Sequence, residues 1–282
     1  MGEIGKSHKI MMSGDFYLEE SVKTSEEMRA PHFHEMFEIY YLISGERNYL
    51  VGNRTYKVSP GDLLFIPSHE IHRATNTSVP FHERIVIHFT KRFLAHDAFW
   101  LEDAQSPFIT GTHLISLPVH LQKRVEELLD RMVIEYRTKD KGFETSIKGA
   151  LLELLILGLR LNRDAMNKPI AFDRPSHRKI SEIIRFINEN YEKQITLTLL
   201  SEQFYISPFY LSRLFKQTTG FTYVEYLTIV RIKVAQRLLR ETKWQIHRIM
   251  ENVGFRDPAH FGKIFKAICH CTPLQYRKKY RQ

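Results

Sequence analysis

The spacing of apolar residues changes along the chain and divides it into four segments. In residues 1–116, short apolar runs alternate with turn-forming residues, which is typical of a sheet. In residues 117–161, apolar residues recur every three or four positions and predict amphipathic helices. Residues 162–176 contain prolines and have no clear period, so we interpret them as a linker. Residues 177–282 return to the helical pattern.

The first segment predicts an antiparallel barrel or jelly roll. Gly52-Asn53 separates two strand-like runs and is a two-residue hairpin signal. Many short strands at close spacing are typical of such barrels. The predicted strands are residues 15–18, 37–43, 48–51, 54–58, 63–66 and 84–89. In the second segment, the helical period predicts one helix over 119–136 and another over 147–159.

The last segment contains a short motif that occurs twice. Ser207-Pro208 predicts a helix start, because the serine hydroxyl can accept a hydrogen bond from a backbone N–H and proline suits the first helical position. The apolar residues that follow lie on one face, and residues 197–204 predict a short helix before them. Two short helices joined by a tight turn form a helix-turn-helix. The pattern repeats about 50 residues later, where Asp257-Pro258 takes the place of Ser207-Pro208.

A single helix over residues 222–240 is predicted between the two copies. Its length is roughly 28 Å at 1.5 Å per residue. Successive major-groove faces of DNA are about 34 Å apart, so the two copies can present two reading helices to one side of a duplex. The fold class predicted for the chain is α+β with two domains: an antiparallel jelly-roll barrel followed by helices, then an all-α domain with two helix-turn-helix motifs.

These residues resemble the DNA-binding domain of the AraC/XylS family of bacterial transcription factors, from about residue 179 to residue 280. The matching positions include 207–208, 211–216, 219–221, 226–227, 231, 235, 238–239, 253–255, 261, 265–266 and 272–273. The chain departs from the family pattern at Tyr205 and His270, where glycine is usual, and at Met250, where alanine is usual. Gly262 lies within the second reading helix and presents no side chain, so we expect that helix to be less base-specific than the first.

The resemblance implies which side chains contact DNA. Arg213 is the candidate for base reading, because its planar guanidinium can pair with guanine O6 and N7. Phe209 suits a thymine methyl group, and Lys216 suits a phosphate. The full set of predicted DNA contacts is Ser207, Phe209, Ser212, Arg213, Lys216, His260, Lys263 and Lys266.

Net charge supports a nucleic-acid partner for the last segment. Residues 177–282 contain 19 Lys and Arg against 8 Asp and Glu, a net charge of +11. The whole chain carries +9, so residues 1–176 carry −2. Clustered cations neutralise phosphates and release counterions, which makes binding salt-dependent. The two cysteines, one residue apart, favour a reducing cytoplasm, and we expect neither a secretory signal nor a membrane span.

The first segment also resembles the cupin superfamily, a double-stranded β-helix fold. The similarity rests on His32-x-His34-x3-Glu38-x6-Gly45 and Gly61-x5-Pro67-x4-His72-x3-Asn76. It implies that a divalent metal can be held by His32, His34, Glu38 and His72. Imidazole and carboxylate are suitable ligands for Zn, Mn, Fe or Ni. The alternative is that these residues border a polar pocket and that no metal is required.

An effector pocket is expected in the same barrel, because aromatic faces stack on sugar rings and other flat ligands. Its candidate residues are Phe33, His34, Phe37, Glu38, Tyr40, Tyr49, Phe65 and His72. For any one aromatic residue, a place in the ordinary core is the alternative.

The sequence therefore predicts a sequence-specific transcriptional regulator that is not an enzyme. The resemblance implies an N-terminal domain (1–116) that binds a small-molecule effector such as a carbohydrate, and a helical segment (117–161) that dimerises or covers the barrel. After the linker (162–176), residues 177–282 form the DNA-binding domain. Activation and contact with RNA polymerase are expected. Two alternatives remain: a metal-dependent cupin enzyme fused to a DNA-binding domain, and a constitutive DNA-binding protein whose barrel only dimerises.

Overall fold

We analysed a computed structural model of the 282-residue chain. It describes residues 7–12, 14–24, 34–77, 81–111, 113–165 and 175–280. The chain divides into two compact units, and the second is built mainly from its C-terminal part.

The N-terminal unit is built on antiparallel strands. They are β1 (Ser7–Met12), β2 (Phe16–Thr24), β3 (Phe37–Gly45), β4 (Arg47–Val51), β5 (Arg54–Val58), β6 (Asp62–Ile66), β7 (His72–Asn76), β8 (Phe81–Phe89) and β9 (Leu114–Ser116). Within the described residues, a six-stranded sheet has the order β1-β2-β8-β3-β6-β9, and a three-stranded sheet has the order β5-β4-β7. In the register of β3 and β8, Glu38 lies opposite His88.

The large sheet has two buried faces because successive side chains point to opposite sides of a strand. Tyr40 and Leu42 of β3 and Leu64 of β6 point towards the small sheet, where they pack with Tyr49 and Val51 of β4. The intervening residues of β3 and β6 point the other way, into a larger core. The unit therefore has three layers: the small sheet, the large sheet and a layer of helices.

The helical layer follows β8. It contains α1 (Lys91–Leu94), a 3-10 helix (Ala95–Leu101), α2 (Val119–Thr138) and α3 (Phe143–Ala165). Val125, Leu128 and Met132 of α2 are buried in the larger core together with Leu151 and Leu154 of α3. One face of each helix is thus buried against the large sheet, as the helical period of the sequence predicts.

The C-terminal unit is helical. Its helices are α4 (Pro175–Glu189), α5 (Leu197–Phe204), α6 (Pro208–Thr219), α7 (Tyr223–Glu241), α8 (Ile246–Asn252), α9 (Pro258–Cys269) and α10 (Pro273–Tyr280). A capping box begins α7: the Thr222 hydroxyl accepts from the N–H of Glu225, and the Glu225 carboxylate accepts from the N–H of Thr222. Gly220 ends α6 in the left-handed conformation that favours glycine.

The predicted fold class is confirmed, and several predicted boundaries were wrong. Strands β1, β7 and β9 had no strong apolar alternation and were not predicted. Helix α3 continues to Ala165, although residues 162–165 were assigned to the linker, and α4 already begins at Pro175. Helix α3 extends through Asn162 because of contacts with residues distant in sequence. The buried amide of Asn162 donates to the Gln105 carbonyl oxygen at 2.7 Å and to Thr110 Oγ1 at 2.9 Å, so a polar residue is accommodated within the helix.

Candidate DNA-reading surface and sensor site

The first helix-turn-helix is formed by α5 and α6. Tyr205 ends α5 with a φ of 54°, so a tyrosine adopts the left-handed turn conformation in place of glycine. The N–H of Ile206 then donates to the Ser201 carbonyl at 3.0 Å, which closes the turn. The Ser207 hydroxyl accepts from the N–H of Tyr210 and Pro208 occupies the first turn of α6, as predicted.

Helix α6 buries one face and exposes the face expected to read DNA. Leu211 and Phe215 are buried against the unit's core. The predicted contacts Ser207, Phe209, Ser212, Arg213 and Lys216 are all exposed. Phe209 leaves 79% of its surface in solvent, so its ring is accessible for the predicted contact with a thymine methyl group. Within the described part of the chain, Arg213 forms no ion pair or hydrogen bond.

The second helix-turn-helix, formed by α8 and α9, repeats this arrangement. The N–H of Phe255 donates to the Met250 carbonyl at 3.0 Å, which corresponds to the bond that closes the first turn. The Asp257 carboxylate caps α9 through the N–H of His260 at 2.6 Å. His260, Lys263 and Lys266 are exposed, while the methionine at 250 is buried and fills space in the core.

Two glycines of the second motif have opposite surroundings. At Gly254, φ is +87° and an added Cβ would lie 2.8 Å from Arg231 Nη2 and from the Glu192 carbonyl oxygen. At Gly262, an added Cβ would meet nothing within 4 Å. Gly254 is therefore required by the fold, whereas Gly262 leaves open space on the reading helix.

Helix α7 joins the two motifs and packs against both. Its Arg231 donates to the Tyr191 carbonyl through Nε and to the Lys193 carbonyl through Nη2, both at 2.8 Å. The Arg231 guanidinium also lies 5.8 Å from the centre of the Phe255 ring. One arginine thus connects the chain before α5 with the turn of the second motif, which holds the two motifs in one unit.

The space between the two sheets of the N-terminal unit is unusually polar for a protein interior. Tyr40 and Tyr49 are fully buried and meet edge to face, with ring centres 4.9 Å apart. Their hydroxyl groups have no hydrogen-bond partner among the described residues. The buried guanidinium of Arg84 lies 5.7 Å from the centre of the Tyr40 ring and donates to Ser21 Oγ at 3.2 Å. Burial raises the pKa of Tyr40 to about 12 and that of Tyr49 well above its ordinary value.

Next to these tyrosines lies a cluster of His34, Glu38, His72 and His88, which we call the histidine–glutamate cluster. Glu38 is 1% exposed. Its Oε2 lies 3.2 Å from Nε2 of His34, 3.3 Å from Nε2 of His72 and 3.0 Å from Nε2 of His88. The four residues come from both sheets and from the segment before β3, so the cluster connects the two sheets.

The electrostatics of the cluster are dominated by burial and by the proximity of these groups. Burial alone would raise the pKa of Glu38, but the imidazoles of His88 and His72 and the hydrogen bond with His34 hold this pKa well below its usual range. For His72, burial alone would lower the pKa, but the Glu38 carboxylate and the Glu70 carbonyl raise it. Glu38 is therefore ionised at neutral pH despite its burial.

The structure brings together most of the predicted metal ligands and adds one. His34, Glu38 and His72 converge as predicted, while His32 and Phe33 lie outside the described residues. His88 was not predicted, because it lies outside both cupin-like motifs. A signal was present, since His88 belongs to a predicted strand whose alternation places it on the same face as Val86 of the inter-sheet core.

Two of the predicted pocket residues do not face the space between the sheets. Phe37 and Phe65 point to the opposite face of the large sheet and pack in the larger core around Phe108, with ring centres at 5.0 and 5.4 Å. Their position follows from strand alternation, which places odd-numbered residues of β3 and β6 on the helix side. They form part of the larger core, whereas Tyr40 and Tyr49 pack in the smaller core between the two sheets, next to Glu38 and His72.

Family models and relatives agree with this architecture. A model described as an AraC-like ligand binding domain matches residues 13–155, just over half of the chain, and one described as a helix-turn-helix domain matches residues 200–279. The chain belongs to the AraC family of transcriptional regulators. Its N-terminal unit is thus a ligand-binding domain for a small-molecule effector, and its C-terminal unit binds DNA.

Relatives of this AraC-family regulator match most of its length. It is 27% identical over 260 residues to the uncharacterized HTH-type transcriptional regulator YfiF of Bacillus subtilis, covering 89% of this chain and 79% of that protein. It is 22% identical over 249 residues to the HTH-type transcriptional activator RhaR of Mannheimia succiniciproducens, covering 88% and 87%. Among solved structures, the C-terminal domain of AraT, a response regulator from Geobacillus stearothermophilus, is 32% identical over 39% of this chain and 88% of that chain, with a TM-score of 0.36.

No helix in the described ranges is both long enough and apolar enough to cross a membrane.

Proposed function

We propose that this AraC-family regulator is an activator whose effector is a carbohydrate bound between the two sheets of the N-terminal unit. The supporting observation is the pair of buried tyrosine hydroxyls, Tyr40 and Tyr49, which lack protein partners among the described residues. A buried hydroxyl without a partner costs about 1–3 kcal/mol, and a polyhydroxylated ligand would supply partners. Their rings and the nearby Arg84 add an apolar face and donors, which is the combination that sugar binding requires.

Activation is supported by one relative that matches 88% of this chain and is named a transcriptional activator. An activator of this kind would bind its operator through α6 and α9 and contact RNA polymerase from the same DNA-bound unit. The effector acts by binding the active arrangement more tightly than the inactive one.

The effector proposal is tested by thermal unfolding of the full-length protein in a panel of pentoses, hexoses and their acids. We expect at least one sugar to raise the unfolding temperature by mass action and to change operator affinity. Tyr40→Phe and Tyr49→Phe should each lower the affinity of the protein for that sugar by about 5- to 150-fold. This equals about 1–3 kcal/mol for a lost buried hydrogen bond. Tyr41→Phe is the matched control, because Tyr41 is adjacent in β3 but faces the helices, where its hydroxyl donates to Glu126 at 2.7 Å.

A flat response to every sugar would contradict the carbohydrate proposal. If Tyr41→Phe and Tyr40→Phe lower the affinity for the sugar equally, the proposed location of the sugar site between the sheets is contradicted. The DNA-binding function is measured separately and does not depend on either result.

We also propose that the regulator is a homodimer that pairs through the outer face of α3. Leu152, Ile156 and Leu157 are only half-buried and form an open apolar cleft, with Arg124 and Arg160 at its edge. A long helix that leaves a second apolar stripe at the surface is expected where another surface covers it. A dimer would place two DNA-binding units on one operator.

The dimer proposal predicts that Ile156→Asp converts the protein to a monomer, because a carboxylate buried in an apolar interface is strongly unfavourable. Sedimentation equilibrium measures the change. Ile134→Asp is the control, because Ile134 is 58% exposed on α2 and lies outside the cleft. A dimer that persists in Ile156→Asp, or one that Ile134→Asp disrupts equally, would show that α3 is not the interface.

A further inference from the structure

We propose that the effector carries a carboxylate group, which the buried guanidinium of Arg84 binds between the two sheets. This inference rests on the proposed function for the location of the site, and it narrows the proposed carbohydrate to a sugar acid. It follows from the charges and hydrogen-bond donors around Tyr40 and Tyr49, which a neutral sugar would leave without a counter-charge.

Arg84 is a buried cation without an ionic partner among the described residues. It is 8% exposed, and its hydrogen bond runs from Nε to Ser21 Oγ at 3.2 Å. The N–H groups of its two Nη atoms have no hydrogen-bonded acceptor within the described part of the chain. A buried guanidinium is unfavourable unless an anion and further acceptors compensate it. The hydroxyl of Ser21 is neutral and supplies one acceptor, so the counter-charge has to come from elsewhere.

The buried carboxylates of the same space are held by other groups. Glu38 Oε2 lies 3.0–3.3 Å from the three imidazoles of the histidine–glutamate cluster. Glu19 Oε2 accepts from the Tyr17 hydroxyl at 2.7 Å. Neither carboxylate forms an ion pair with Arg84 in the described ranges. The anion that would pair with Arg84 is therefore missing from this part of the protein.

The hydroxyl groups next to Arg84 also need acceptors. The guanidinium carbon lies 5.7 Å from the centre of the Tyr40 ring, and the rings of Tyr40 and Tyr49 are 4.9 Å apart. Both hydroxyls can donate, and a guanidinium can only donate. A carboxylate only accepts, and it can take two parallel N–H groups from one guanidinium. One carboxylate would thus supply both the negative charge and the acceptors that this place lacks.

A second buried cation adds to the positive potential at Tyr40. Strand alternation places Arg47 of β4 on the same face as Tyr49 and Val51, and Arg47 is 2% exposed. Burial raises the pKa of Tyr40, and the charges of Arg84 and then Arg47 oppose this rise more strongly than the charge of Glu38 adds to it. A positive potential favours an anionic ligand over a neutral one of the same shape.

The test compares each uronic acid with its uronamide and its parent sugar, which have similar shapes but no charge. Titration calorimetry with the full-length protein at neutral pH and fixed salt measures the affinities. We expect at least one acid to bind at least about tenfold more tightly than its amide, because hydrogen bonds to a charged group are stronger than neutral ones. Arg84→Gln should reduce the ratio of acid affinity to amide affinity to about one.

The control is Arg92→Gln, which removes an exposed arginine of α1 in the same unit and should leave the ratio unchanged. A purely structural role of Arg84 would lower the affinities for acid and amide together and would also leave the ratio unchanged. If Arg84→Gln folds poorly, the comparison of acid with amide in the wild-type protein still decides whether a negative charge is recognised.

The outcomes separate this inference from the carbohydrate proposal. If an amide or a neutral sugar binds as tightly as its acid, the carboxylate inference is wrong while the carbohydrate proposal stands. If short aliphatic carboxylates bind through Arg84 and no sugar or sugar acid does, the carbohydrate proposal is wrong while the carboxylate inference stands. An unchanged ratio in Arg84→Gln contradicts the assignment of Arg84, and the absence of binding by all of these ligands contradicts both proposals.

Discussion

Arg213→Ala is expected to weaken binding to the selected operator by about 5- to 150-fold and to abolish base preference at one end of it. Arg213 is exposed on α6 and free of ion pairs within the described residues, so its guanidinium is available for a bidentate contact with guanine. Such a contact contributes about 1–3 kcal/mol of discrimination. The measurement is selection from random duplexes at fixed salt, followed by titration of the enriched sequence with wild-type and variant protein.

Lys216→Ala is the matched control, because Lys216 is exposed one turn further along the same helix. A phosphate contact carries no base information, so this variant should bind all sequences more weakly and reduce the salt slope by about one. If Arg213→Ala behaves in the same way, with uniform weakening and unchanged sequence preference, Arg213 contacts phosphate and the assigned base reader is wrong.

Phe65→Ala is expected to destabilise the N-terminal unit by about 3–5 kcal/mol, the range found when a buried phenylalanine is truncated. Phe65 is fully buried between β6 and the helices, in contact with Phe108 and α3. Denaturant unfolding followed by Trp100 fluorescence in a Trp244→Phe background measures the change in the free energy of unfolding of this unit alone, because the chain has two tryptophans.

Gly158 supplies the control for this prediction. In the native protein an added Cβ at Gly158 would lie 2.5 Å from Cζ of Phe65, so Gly158→Ala should destabilise the unit by overpacking. In the Phe65→Ala background the same methyl group enters the cavity and should be stabilising. If Gly158→Ala changes the free energy of unfolding in the same direction in both backgrounds, the direct contact with Phe65 is contradicted. If Phe65→Ala leaves the free energy of unfolding unchanged, the assignment of Phe65 to the structural core is contradicted.

The fold was largely predictable because its elements carry strong local patterns. The caps at Ser207 and Asp257 and the apolar stripes between them determine the two helix-turn-helix motifs locally. The ends of α3 and the short strand β9 were not predictable, because they depend on contacts distant in sequence. Asn162 is an example, since its helical position is supported by Gln105 and Thr110.

The candidate sites were predictable to different degrees for the same reason. Exposure of the α6 face follows from helical spacing alone, and all the predicted DNA contacts are exposed. The inter-sheet site requires both the strand register and the direction of each side chain. Both Phe37 and Tyr40 were predicted to line the pocket, although strand alternation places them on opposite faces. The pairing of Glu38 with His88 appears only once β3 and β8 are placed side by side.

The continuous helix α7 restricts how the promoters of this regulator can evolve. An insertion of one base pair between the DNA segments contacted by α6 and α9 rotates the second segment by about 35° around the duplex. Because α7 is a continuous helix of 19 residues, α9 cannot rotate relative to α6 to follow this change. Operators recognised by one chain should therefore tolerate base substitutions in either contacted segment far more readily than insertions or deletions of single base pairs between the segments. During evolution, the spacing between the two segments should then change less than their base sequence.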